Sequence, residues 1–318
     1  MNELNVLMAK SLMRLAPRKP LPPDVAVGDL GEVFRHEIYT AGSEEKRRKI
    51  RRESAEYFYH DELKYPWDKY FGVDLQRELA GKVALDLGCF TGGRSIAWHE
   101  MYQLKRLVGV DVENHCIEAA TEFARHRGVD AEFTIGFGEK LPFEDGSFDA
   151  VLSFETFEHV RNVGESLAEC HRVLRSGGRL YAVFPSYFHP IEHHLKLVTA
   201  TPFISILFSG GTLVKAYYDI LQERGAEACW YARKNRELER WERGNTLNGM
   251  TFSGFSRLAR QGGWRVSLVG RKPIGSIGRN ASKHALLSAC CNVFYPLTMV
   301  RGLQELFLHH IVFILEKR

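Results

Sequence analysis

The stretch from Val83 to Arg94, VALDLGCFTGGR, constrains this chain more than any other. Val83 to Leu87 is nearly all apolar, as a strand covered on both faces should be. Gly88, Gly92 and Gly93 permit backbone angles and a closeness of approach that a Cβ forbids. A helix is expected from Ser95 onward, so the turn brings a ligand up against N–H groups at a helix N-terminus. Asp86 sets the class of that ligand. A carboxylate two residues before the first glycine would repel a pyrophosphate at short range and suits a cation. The dinucleotide spacing G-x-G-x-x-G fails because Phe90 stands at its second position, and a P-loop is absent.

Further segments follow at regular separations. Residues 106–111 (RLVGVD) predict a second strand ending in an acid, Asp111, 23 residues after Gly88. That is close to one strand–helix–strand unit, and a carboxylate accepts well from vicinal hydroxyls. Residues 136–143 (GFGEKLPF) form a loop, 145–154 (DGSFDAVLSF) predict a fourth strand, and 174–185 (LRSGGRLYAVFP) predict a turn into a fifth. Together these segments resemble the class I S-adenosylmethionine-dependent methyltransferases. Within them they are most similar to the methyltransferase type 11-like branch with a D-x-G-C-G-x-G turn, where Phe90 replaces the usual glycine. The resemblance implies an α/β, doubly wound, Rossmann-like sheet of seven strands, the last antiparallel beside the sixth. It implies S-adenosyl-L-methionine as co-substrate, held by Asp86, Gly88, Phe90 and Gly92 at the turn. Asp111 is expected at the ribose, with Val112 beside it as a further cofactor contact. Phe137, Gly138 and Glu139 are expected near the adenine, with Phe137 where the family has Asp, and Phe154 at the end of strand four.

The 318 residues, 45% hydrophobic and 26% charged, suit a globular protein with additions beyond one core. Six cysteines without a C-x-x-C pair read as reduced thiols in a cytoplasmic protein, with no zinc site. Lys10 and Arg14 interrupt any secretory apolar region, while Leu4, Met8, Leu12 and Leu15 follow helix spacing. The net charge of +4 sits in residues 1–52, which hold 11 Lys/Arg against 7 Asp/Glu. That gives no strong nucleic-acid signal.

Four segments are expected. Residues 1–80 form an N-terminal helical extension. It holds the basic run 46–52, read as a solvated helix face in preference to a peripheral membrane contact. It also holds the aromatic stretch Tyr57 to Phe71, expected mostly to pack onto the core. Residues 81–185 form the S-adenosylmethionine-binding core. Residues 186–250 form a lid or substrate-binding insertion between strands five and six, longer than such a connection needs. Within it, Leu197 to Val214 carries no charge, but Pro202, Gly210 and Gly211 argue against a membrane span. Residues 251–318 complete the core, with an apolar insertion at 272–304.

Methyl transfer from a sulfonium is an in-line displacement that gains from positioning, a dry site and, for oxygen or nitrogen acceptors, a base. The candidates follow strands four and five: Glu155, Glu158 and His159, then His189, Glu192, His193 and His194. Among these, His189, His193, Glu155 and His159 are the leading catalytic candidates, and histidine suits proton removal near neutrality. A metal is not expected, because the cluster holds a single carboxylate. His309 and His310 read as structural. Trp230, Asn245, Asn248 and Thr251 are candidate acceptor contacts. The favoured acceptor is a small-molecule, lipid-linked or glycan group methylated on oxygen or nitrogen rather than carbon. The alternatives are an RNA or protein methyltransferase and a non-catalytic cofactor-binding protein. The acceptor, the methylated atom and the oligomeric state are not legible in the sequence.

Overall fold

β1 (Val83–Leu87) lies inside a seven-stranded sheet because both its faces are apolar. The structure, a computed structural model, describes residues 2–17, 41–189, 195, 198–223, 248–273 and 293–318. The other strands are β2 (Arg106–Asp111), β3 (Ala131–Ile135), β4 (Phe148–Phe154), β5 (Leu174–Pro185), β6 (Arg265–Pro273) and β7 (Leu308–Glu316). Their order is β3-β2-β1-β4-β5-β7-β6, with β7 antiparallel to both neighbours. This is the expected doubly wound, Rossmann-like sheet. The order reverses between β1 and β4, and ligands of open α/β sheets lie beyond the carboxyl strand ends at such a point.

Alternation along the strands divides the core into two layers. Leu85, Leu87, Leu180, Ala182 and Phe184 pack on one face against α7 (Val163–Val173) and α10 (Phe252–Gln261). Ala84, Tyr181 and Val183 pack on the other against α3 (Asp68–Phe71), α4 (Leu75–Leu79) and α5 (Gly93–Tyr102). On that second face Trp67 stacks on Trp98 with ring centroids 4.3 Å apart. The aromatic stretch before β1 is thus largely core, as expected: Tyr59, Trp67, Tyr70 and Phe71 are buried.

α2 (Glu44–Lys64) is capped by Ser43, whose side chain accepts from the Lys46 N–H. It crosses α5 so closely that a Cβ on Gly93 would come within 2.0 Å of the Ala55 carbonyl oxygen. The basic run on α2 is only partly the solvated face expected of it. Arg47, Lys49 and Arg52 pair with acids three or four positions away. Arg51 is buried and holds Glu44 on its own helix together with Glu118 and Glu122 on α6 (Asn114–Arg127). The planar guanidinium serves three carboxylates at once and ties the extension to the core.

α1 (Glu3–Met13) forms where helix spacing placed it, but with the opposite face inward. Val6, Ala9 and Met13 are buried, whereas Leu4, Met8 and Leu15 are exposed. The buried face packs on α9 (Gly210–Glu223) and on Ile204 of α8 (Ile204–Leu207), forming a small core of its own. Lys10 and Arg14 bind Glu223 across this contact. Residues 198–214 therefore contribute to short helices. No helix among the described residues is long and apolar enough to cross a membrane.

Candidate active site

The turn after β1 is shaped by two backbone requirements. Gly88 sits at φ +82°, and a Cβ there would come within 2.2 Å of Thr156 Oγ1. Thr156 Oγ1 donates to the Leu87 carbonyl at 3.0 Å, joining the ends of β1 and β4. Phe90 occupies the left-handed region at φ +48°, which costs a residue with a Cβ about 1–2 kcal/mol. Its ring turns toward α2, meeting Phe58 edge-on at 5.3 Å and packing by Ala41, Ile50 and Cys116. Phe90 thus anchors the extension to the turn.

Asp86 is 3% exposed, and Ser95 of α5 donates to its Oδ2 at 2.5 Å. Burial raises its carboxyl to about 7, against lowering by Ser95 and by Arg94. Arg94 also bonds Glu62 Oε2 of α2 at 3.1 Å, and its guanidinium lies 4.1 Å from the Phe154 ring centroid. Glu62 is itself buried, and that burial raises its carboxyl. Arg94 was not singled out from the sequence. Its signal was a cation beside a motif whose acid asks for one.

Asp111 ends β2 and receives two backbone N–H groups, Phe90 to Oδ2 at 2.9 Å and Glu113 to Oδ1 at 3.0 Å. These two bonds fix the carboxylate at the end of β2. Val112 and Phe137 are about half exposed, large apolar side chains beyond β2 and β3. Gly138 is buried, with room for a Cβ no closer than 3.1 Å from Ser166 Oγ. Glu139 accepts from the Asn162 N–H at 2.9 Å, a bond that shapes its loop.

Glu155 follows β4 with φ +54°, a strained angle for a side-chain-bearing residue, and its carboxylate is exposed. Its Oε1 lies 3.7 Å from His310 Nε2. His310 is 5% exposed and its ring stacks on His309 with centroids 4.3 Å apart. His309 in turn lies 4.7 Å from the ring of His189, which is buried after β5. The reading of His309 and His310 as purely structural therefore misses their neighbours. β7 runs antiparallel, so its first residues lie at the carboxyl ends of the parallel strands.

Glu158 is buried with its Oε1 3.7 Å from His159 Nε2. Asn248 and Thr251 make structural hydrogen bonds. The Asn248 amide donates to the Phe157 and Val160 carbonyls, and Thr251 caps α10. Glu192, His193, His194, Trp230 and Asn245 lie outside the described residues. Among the described residues no group of three or more ligating side chains could hold a metal ion.

Residues 85–182 match the family model described as a methyltransferase domain. Residues 85–182 are thus similar to a methyltransferase domain. The chain is 32% identical over 142 residues to a demethylmenaquinone methyltransferase of Thermus thermophilus, covering 43% of this chain and 64% of that protein. It is 32% identical over 111 residues to a ubiquinone biosynthesis O-methyltransferase of Maricaulis maris, covering 34% and 42%. It is 35% identical over 109 residues to 24-methylenesterol C-methyltransferase 2 of Arabidopsis thaliana, covering 33% and 29%. The chain thus spans less than two thirds of each of these relatives.

Proposed function

We propose that this chain transfers a methyl group from S-adenosyl-L-methionine to an oxygen or nitrogen of an apolar, lipid-like small molecule. The observation that carries the reading is Asp86. A carboxyl buried at the switch point, with its ionised form disfavoured, is stabilised by a ligand bearing positive charge. When bound, S-adenosylmethionine supplies that charge and a methyl group on a sulfonium. Asp111 would hold the ribose hydroxyls, and Val112 and Phe137 would flank the adenine.

On the acceptor side, Glu155 is the nearest exposed base to the end of β4. It would take the acceptor's proton while His310 behind it holds the carboxylate in place. Strain at a strand end next to a ligand site is where functional residues concentrate. His189 and His159 remain candidates for the same role. The core's relatives act, by their names, on menaquinone and ubiquinone precursors or on a sterol, which supports an apolar acceptor. The segment 186–250 is read as the part that covers that acceptor.

The test is calorimetric titration with S-adenosylhomocysteine, on the wild type and on Asp111→Ala. Micromolar binding that the substitution abolishes supports the cofactor site. A screen of polyprenyl phenols, quinols and sterols with labelled methyl donor then identifies the acceptor class. Absence of binding by the wild type would overturn the enzyme reading.

A further inference from the structure

Arg94 stands second in α5, one residue before the Ser95 that bonds Asp86. Three neighbours hold its guanidinium in place. Its Nε donates to Glu62 Oε2 at 3.1 Å. The Phe154 ring centroid lies 4.1 Å away and the Phe58 centroid 5.7 Å. Phe154 ends β4 and Phe58 belongs to α2, so the group is pinned between the sheet edge and the N-terminal extension. A guanidinium carries five N–H donors in a fixed fork, and Glu62 takes one of them. Among the described residues neither terminal nitrogen makes a hydrogen bond, and 20% of the side chain is accessible.

The surrounding charges are those of a site for a zwitterion. The Arg94 charge acts on three carboxyls, Asp61, Glu62 and Asp86. Acids at that density favour positive groups, and Arg94 places one planar fork for an anion among them. An α-amino acid end, with its ammonium beside a carboxylate, matches this arrangement. A polyanion such as a nucleic-acid backbone would meet the acids and does not. The strand order β2-β1-β4 supplies the direction. Asp111 ends β2, Asp86 lies in β1 and Phe154 ends β4. A cofactor with its ribose at Asp111 and its cationic part at Asp86 has its far end directed to β4, where Arg94 lies.

We propose that Nη1 and Nη2 of Arg94 bind the carboxylate of the methionine portion of S-adenosylmethionine and make the site select for it. The inference rests on the cofactor reading above and adds the residue that reads the amino acid end. Glu62 and the two rings are positioning residues. They fix the fork before the ligand arrives, so little side-chain freedom is lost on binding. Because Glu62 and Phe58 come from α2, the N-terminal extension becomes part of the cofactor site.

The experiment is calorimetry on the full chain with two probes. One is S-adenosylhomocysteine. The other is its decarboxylated analogue, in which an aminopropyl chain replaces the amino acid, so the ammonium is kept and the carboxylate lost. The proteins are the wild type, Arg94→Lys and the double variant Arg94→Met/Glu62→Met. The lysine keeps a positive charge beside Glu62, and the double variant leaves neither charge of the pair behind. The wild type is expected to bind S-adenosylhomocysteine about tenfold to a hundredfold more tightly than the analogue. Arg94→Lys should lose about tenfold on S-adenosylhomocysteine and the double variant nearly all of the preference. Both should hold the analogue within about twofold of wild type, which also reads that the site is folded. A wild type with no preference overturns the proposal, as do variants that keep it. Variants that weaken both probes equally overturn it too, since Arg94 would then act through the fold alone. The cofactor reading is scored separately. It stands if the wild type binds both probes and Arg94 proves irrelevant, and both readings fall if neither probe binds.

Discussion

The Phe90 N–H donates to Asp111 Oδ2 at 2.9 Å, and this bond spans the two strand ends that define the site. It is a backbone bond, so it does not require a phenylalanine. What the side chain adds is packing against Phe58, and what it costs is a left-handed angle. Phe90→Gly relieves about 1–2 kcal/mol of strain but gives up the half-buried ring and adds chain entropy. The losses exceed the gain, so we predict a net destabilisation of about 1 kcal/mol, with cofactor affinity within about threefold of wild type. Denaturant unfolding and calorimetry read the two quantities. A loss of affinity above about tenfold would mean that the ring itself lines the cofactor site.

Asp86 makes both stability and binding depend on pH. Its folded value, about 7, lies above the ordinary 3.8, because burial disfavours the carboxylate. Below the ordinary value both states are protonated and the group costs nothing. As pH rises toward 7 the unfolded state ionises first, and folding loses up to about 4 kcal/mol. Asp86→Asn should therefore stabilise the ligand-free protein near pH 8 and leave it unchanged near pH 4, as thermal melting at the two values would read. A cationic ligand needs the ionised form, so S-adenosylmethionine affinity should fall about tenfold per pH unit below 7. Equal affinity at about pH 5.5 and pH 7.5 would exclude Asp86 as the group facing the charge.

Arg94 and Glu62 are a largely buried pair, and removing one partner leaves the other charge uncompensated. Arg94→Met should cost about 3 kcal/mol, and adding Glu62→Met should recover most of that loss. Urea denaturation of the two single variants and the double variant checks it. Additive losses would show that the two side chains stabilise the fold independently.

Glu155 and His310 are predicted to separate turnover from binding. On an acceptor returned by the screen above, Glu155→Gln should lower kcat by about 10²–10⁴ while the S-adenosylhomocysteine affinity stays within about twofold. His310→Gln should lower kcat less, because the Glu155 carboxylate itself is retained. Wild-type turnover by Glu155→Gln would return the role to His189 or His159.

The sheet was legible in the sequence because buried parallel strands are short apolar runs between turn residues, and their spacing is nearly invariant to what surrounds them. β1, β2 and β4, the glycine turn and the two acids at its ends could be read residue by residue. Helix α1 was legible as a helix, but its inward face was not. Leucine and methionine lie on one side and valine, alanine and methionine on the other, so periodicity could not choose between them; packing on α9 did. The meeting of His189, His309, His310 and Glu155 was equally out of reach of local reading. It arises because β7 inserts antiparallel between β5 and β6, which carries residues from the chain's end to the edge where the others stop. Local chemistry thus determined the ligand class and the strands that present it. Long-range pairing decided which distant side chains meet at the carboxyl edge of the sheet and which apolar face is left outward.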